Sequence, residues 1–169
     1  SVVTFSNEAQ GLNSGLVTGT AENIGDLKAK VNSIRASGKT YSLKGLTVAF
    51  DQLIEATEAE VVGASCNNIV LFLTDGVDTV CEKCDASGAP AEYGEAVTPQ
   101  GRCRCKEAVL EAVERKQEEL ERVGGRRAEV FSLSMGGEAD DTLPRQLACR
   151  NNGAWDRISA GDAVLDKLE

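Results

Sequence analysis

The chain switches repeatedly between two hydrophobic rhythms. Ser1-Val2-Val3-Thr4-Phe5 is rich in β-branched and aromatic residues and predicts a strand over residues 1–5, with Ser6-Asn7-Glu8 turning out of it. A weaker strand is expected over Gly15 to Thr18. Ile24, Leu27, Val31 and Ile34 then recur at spacings of three and four, which places them on one face of a helix closed by Ser37-Gly38. Leu43, Leu46, Phe50, Leu53 and Ile54 mark the inner face of a second helix. Ile69-Val70-Leu71-Phe72-Leu73 is apolar without alternation, which predicts a strand buried on both faces, as in a parallel sheet covered by helices.

From Val80 to about Cys105 no periodicity is present, and the stretch holds two Pro, several Gly and four cysteines. A connection of that length in a compact domain is expected to be functional or cross-linked. The helical rhythm returns at Ala108, Val109, Ala112, Val113 and Leu120 and stops at Gly124-Gly125. Val130 to Leu133 predicts a strand, and Leu143 to Arg150 a short helix opened by Asp141-Thr142 with Pro144 in its first turn. A strand at Trp155 to Ile158 and an amphipathic tail (Val164, Leu165, Leu168) follow. Strands alternating with helices predict a three-layer α/β/α sandwich around a central, mainly parallel sheet.

Composition narrows the function. A length of 169 residues suits one domain, spanning 1–169 with a Cys-rich insertion at about 80–105. The net charge of −9 argues against a nucleic-acid surface, since phosphate binding needs a basic face, so no nucleic-acid partner is expected. No run approaches the roughly 20 apolar residues of a membrane span. Histidine is absent, which rules out Ser/His/Asp and Cys/His triads within the chain. The opening residues are already in strand rhythm without an initiator Met, so a piece of a larger protein is expected. Cys81, Cys84, Cys103 and Cys105 fit either disulfides formed in an oxidising compartment or a zinc site of four thiolates.

In open α/β sheets ligands gather at the carboxyl ends of the strands. Thr74-Asp75-Gly76 follows the most apolar strand, and an Asp there either meets a cation or caps a turn. Gly38-Lys39-Thr40 precedes the second helix, where Thr40 is either a hydroxyl ligand or a simple helix cap. Lys39-Thr40 lacks the glycine spacing of a phosphate-binding loop.

The order strand, helix, Gly-x-Thr, helix, strand, Thr-Asp-Gly resembles the von Willebrand factor A family. Further segments bring it close to the branch of the alpha-2-delta auxiliary subunits of voltage-gated calcium channels. They are Val2 to Asn7, Gly45 to Leu53, Cys66-Asn67-Asn68 leading into Ile69 to Gly76, Val130 to Gly136, and Ala148 to Gly153. The resemblance implies a metal ion-dependent adhesion site holding Mg²⁺ or Ca²⁺, with Thr40 and Asp75 as two ligands. The family's D-x-S-x-S motif, which follows its first strand, is expected upstream of Ser1. Asp78 is near enough in sequence to back these ligands as an acceptor, its plainer role being to cap the loop. Cys66 resembles a position bonded to a distant cysteine, and Cys66 and Cys149 are candidates for an inter-segment disulfide. The Cys81–Cys105 insertion is not part of the family pattern.

The function implied is extracellular or cell-surface protein binding, not catalysis. The partner offers an Asp or Glu carboxylate and is a channel subunit or a matrix protein. A secreted matrix adhesin of the same type, an intracellular zinc-stapled interaction domain and a Mg²⁺-dependent hydrolase using Asp75 are the alternatives.

Overall fold

The computed structural model describes residues 1–61, 66–75, 83–84, 90–91, 105–137, 139 and 141–159, with 83–84, 90–91 and 105 described in the backbone alone. Strand β1 (Val3–Phe5) turns back at once and pairs antiparallel with β2 (Ala9–Gly11), Val3 opposite Gly11. The Ser6 N–H donates to the Glu8 carbonyl at 2.7 Å and closes the turn. The expected strand over Gly15 to Thr18 is not formed. The tight turn brings residues 9–11 alongside β1 first, and they complete the hairpin.

Helix α1 (Ala21–Ser33) starts where the Thr20 hydroxyl accepts the Asn23 N–H, with Glu22 in its first turn and Lys30 in its last. It ends at Ile34, before the Ser37-Gly38 stop, and buries none of its residues. Its apolar stripe is real, yet Ile24, Val31 and Ile34 are all exposed. Helix α2 (Ser42–Glu58) uses its stripe in full, burying Leu46, Phe50, Leu53 and Ile54.

Strand β3 (Ile69–Thr74) follows. Within the insertion, expected to hold no regular element, Lys83–Cys84 (β4) and Pro90–Ala91 (β5) pair as a small antiparallel ladder. Helix α3 (Cys105–Arg122), β6 (Glu129–Met135), α4 (Thr142–Arg150) and β7 (Trp155–Ile158) complete the described elements. The protein is thus α/β: a three-strand parallel sheet, ordered β3-β6-β7 and flanked by helices, with antiparallel hairpins beside it.

The core lies on one side of that sheet. Val70 and Phe72 of β3 and Val130 of β6 meet Leu46 and Phe50 of α2, Val109, Leu110, Val113 and Leu120 of α3, and Leu143 and Leu147 of α4. The expectation that Ile69 to Leu73 is buried on both faces is corrected. Burial alternates strictly along β3, leaving Ile69, Leu71 and Leu73 at 60%, 50% and 43% exposure. The physical reason is position: β3 is an edge of the sheet, and among the described residues no element covers its second face.

Candidate functional site at the carboxyl edge of the sheet

The ladder places three chain segments side by side. Thr74 of β3 pairs with Ser134 of β6, and Met135 pairs with Ile158 of β7. Asp75 therefore stands level with Met135 and Ile158 at the carboxyl edge, with Gly136 and Ser159 one residue further on. Asp75 is exposed there, immediately past the strand, as its position in the sequence predicts.

Thr40 is half-buried in the connection leading into α2, one residue before the helix cap Tyr41. That connection is tied to the turn after β1. The Lys39 N–H donates to Asn7 Oδ1 at 2.8 Å, and Lys44 Nζ donates to the Asn7 carbonyl at 3.2 Å and to the Glu8 carboxylate at 2.7 Å. Lys44 also lies over the Tyr41 ring, 5.2 Å from its centroid, and Tyr41 is buried.

Phe5 links this assembly to the sheet. Its ring stacks on Phe72 with centroids 5.7 Å apart, and it lies so close to the first turn of α2 that a Cβ at Gly45 would stand 2.7 Å from it. The glycine leaves room for the ring to approach the helix. So the segments carrying Thr40 and Asp75 are joined through Asn7, Phe5 and Phe72. The joining residues escape notice in the sequence because Asn7 reads there only as a turn former.

Thr40 and Asp75 offer a hydroxyl and a carboxylate, the oxygen donors that Mg²⁺ and Ca²⁺ prefer. The type fits; the number is short of the six or more such ions take. Among the described residues no group of three or more Asp, Glu or Cys side chains could hold a metal ion.

Of the other expected site residues, Asp78, Cys81 and Cys103 lie outside the described residues. Cys84 sits in β4 opposite Pro90, and Cys105 opens α3, with both side chains outside the description. Cys66 and Cys149 are both free and exposed.

A cavity of about 340 Å³ lies between β1, α2 and β3, walled by Val3, Phe5, Leu16, Leu46 and Leu71. The polar side chains Ser1 and Gln52 on its wall hydrogen-bond to each other at 2.5 Å, which leaves an apolar hollow without the convergent polar groups of a small-molecule site. No described helix is long and apolar enough to cross a membrane. Compared with models of known protein families, the chain matches none.

Away from this edge, a buried polar network holds α3 to the sheet. Gln117, fully buried, accepts the Ala128 N–H at 2.8 Å and donates to the Ala128 carbonyl at 2.7 Å and to Asn151 Oδ1 at 2.8 Å. The signal was present in the sequence: Gln117 falls between Val113 and Leu120 on the apolar stripe, where a polar side chain needs a buried partner.

Proposed function

We propose that this chain is a protein-binding module of the von Willebrand factor A type, working at the carboxyl edge of its sheet through a divalent cation. Thr40 and Asp75 are the residues of this chain that would hold the ion. A hard cation supplies a site for an oxygen anion, so the matching partner is a protein presenting an Asp or Glu carboxylate, such as a channel subunit or matrix protein. The finer architecture, a three-layer sandwich whose remaining strand, helix and metal ligands lie upstream, belongs to the same proposal. So does placement outside the cell or on its surface, and so does the absence of catalysis.

The observation that carries the reading is Asp75: an exposed carboxylate one residue past a parallel strand, with the Thr40 segment anchored to the same strand through Phe5. The resemblance in motif order, from Gly38-Lys39-Thr40 to Thr74-Asp75-Gly76, adds to it.

The test is partner capture by the full-length protein in Mg²⁺ or Ca²⁺ against chelator, for wild type and Asp75→Ala. Chelator and the substitution are each expected to abolish capture, while the thermal midpoint stays where it was, because an exposed carboxylate contributes little to the core. Capture that survives both removes the cation from the mechanism.

A further inference from the structure

Arg157 lies on β7, and its guanidinium reaches the connection between β6 and α4. Nε donates to Asp141 Oδ1 at 3.1 Å and Nη2 to Asp141 Oδ2 at 2.6 Å, a two-pronged grip on one carboxylate. Nη2 also donates to the Ala139 carbonyl at 3.0 Å and Nη1 to the Gly137 carbonyl at 3.5 Å. At the start of the connection the Gly136 N–H donates to the Ile158 carbonyl at 2.9 Å. Gly136 has φ +89°, a conformation open to glycine and strained for other residues.

These contacts oppose the freedom that two successive glycines give the backbone. Asp141 stands at the cap position of α4, but its side chain does not cap that helix; it is held by Arg157 instead. One planar cation thereby gathers Gly137, Ala139 and Asp141, a geometry that the point charge of lysine cannot reproduce. The connection leaves the neighbouring strand directly after Met135, the residue level with Asp75.

We propose that Arg157 is a positioning residue. It holds Gly136, Gly137, Ala139 and Asp141 as a fixed wall next to Asp75, and the wall selects which partner can approach that edge. The proposal rests on the reading of the Asp75 edge as the partner site. If freeing the connection leaves it correctly placed about one tenth of the time, apparent affinity falls about tenfold, in proportion to the competent fraction.

The probe is a set of peptides selected on the full-length wild-type protein in Mg²⁺, counter-selected against Asp75→Ala and eluted with acid. Arg157→Gln is expected to weaken their binding about tenfold and to raise amide hydrogen exchange in the 136–141 peptide, leaving exchange in β6 and α4 unchanged. Arg157→Lys should not rescue. Asp141→Asn should reproduce the loss, and the double variant should add nothing to it, because the two side chains act as one device. Arg127→Gln is the control. That arginine is about as exposed and pairs with Glu114 and Glu121, just before the opposite end of β6, so binding should not change.

Unchanged exchange in Arg157→Gln overturns the proposal. Raised exchange with unchanged affinity overturns the role in recognition, as does an equal loss in Arg127→Gln. Failure to select any peptide that needs Asp75 overturns it together with the site. Peptides that need Asp75 but ignore chelator overturn the cation alone, and the affinity and exchange results still decide the role of Arg157.

Discussion

The two faces of β3 are built from the same kind of residue and live in different surroundings. Val70 and Phe72 are 8% and 5% exposed, against a core supplied by three helices. Ile69, Leu71 and Leu73, one step along the same backbone, are 43% exposed or more. Side chains alternate across a strand, so neighbours in sequence belong to opposite layers. The lesson is that an apolar run states what a strand is suited to meet and leaves open what it does meet. Helix α1 teaches the same thing beside α2: both carry an apolar stripe, and α2 alone buries it.

The largest effect should separate the two faces directly. Phe72→Ala removes a buried ring stacked on Phe5 and is expected to cost about 3–5 kcal/mol of unfolding free energy. Leu71→Ala, on the half-exposed face, is expected to cost only about 1 kcal/mol, because half of that residue stays in water on folding. Urea unfolding of both variants checks the contrast, and equal costs would mean that something covers the second face in solution.

A smaller effect tests whether the inner face is held by apolar packing alone. Gln117→Ala strands the Ala128 N–H and carbonyl and one acceptor of Asn151, all in buried surroundings. The expected cost is about 1–3 kcal/mol, mostly from groups left unpaired. A cost near zero would show that the network is ornamental to the inner face.

The smallest effect is electrostatic and sits on the outer flank of α2 and α3. Lys116 Nζ lies 2.7 Å from both Asp51 and Glu119. Burial pulls the Lys116 ammonium down, and its hydrogen bonds and charge interactions with Asp51 and Glu119 outweigh this, so it sits above the ordinary lysine range. The hydrogen bond from Lys116, followed by its charge, holds Glu119 below the usual carboxylate range. The signs follow by linkage. The Glu119 contribution is present above its unfolded pKa of about 4.3 and fades as pH falls through the lowered folded value. The Lys116 contribution is present below about 10.4 and fades as pH rises through its raised value. Lys116→Met should therefore flatten the acid and alkaline limbs of stability against pH. Its effect on the plateau between them should be small, because solvent screens these pairs. Thermal melts from acid to alkaline pH would show this.

Much of the order of elements was legible in the sequence because local rhythm and caps are local physics. The stripe at Leu46, Phe50, Leu53 and Ile54 marks α2, Pro144 marks the first turn of α4, and Trp155 to Ile158 is a strand with the expected limits. Asp75 was legible too, since an Asp directly after a buried-type strand lands on the carboxyl edge of a parallel sheet. The grip of Arg157 on Asp141 was not. The two residues are separated by all of α4, and Asp141 reads in sequence as a helix cap. The hairpin partner at residues 9–11 was missed because Ala-Gln-Gly has no strand rhythm of its own, and pairing with β1 alone makes it one.

The sequence by itself determined that the chain is α/β, which stretches form the four described helices and the three strands of the parallel sheet, that its donors suit no histidine chemistry, and that Thr40 and Asp75 stand at element ends. Tertiary structure alone decided that β3 is an edge, which of its faces is buried, that Asn7 and Phe5 bind the Thr40 segment to the sheet, and that Asp75 neighbours a connection pinned by Arg157. The reason is range. Helical periodicity, caps and turns are energies between residues a few positions apart, whereas strand order and face burial depend on which distant segments arrive to share the same surface.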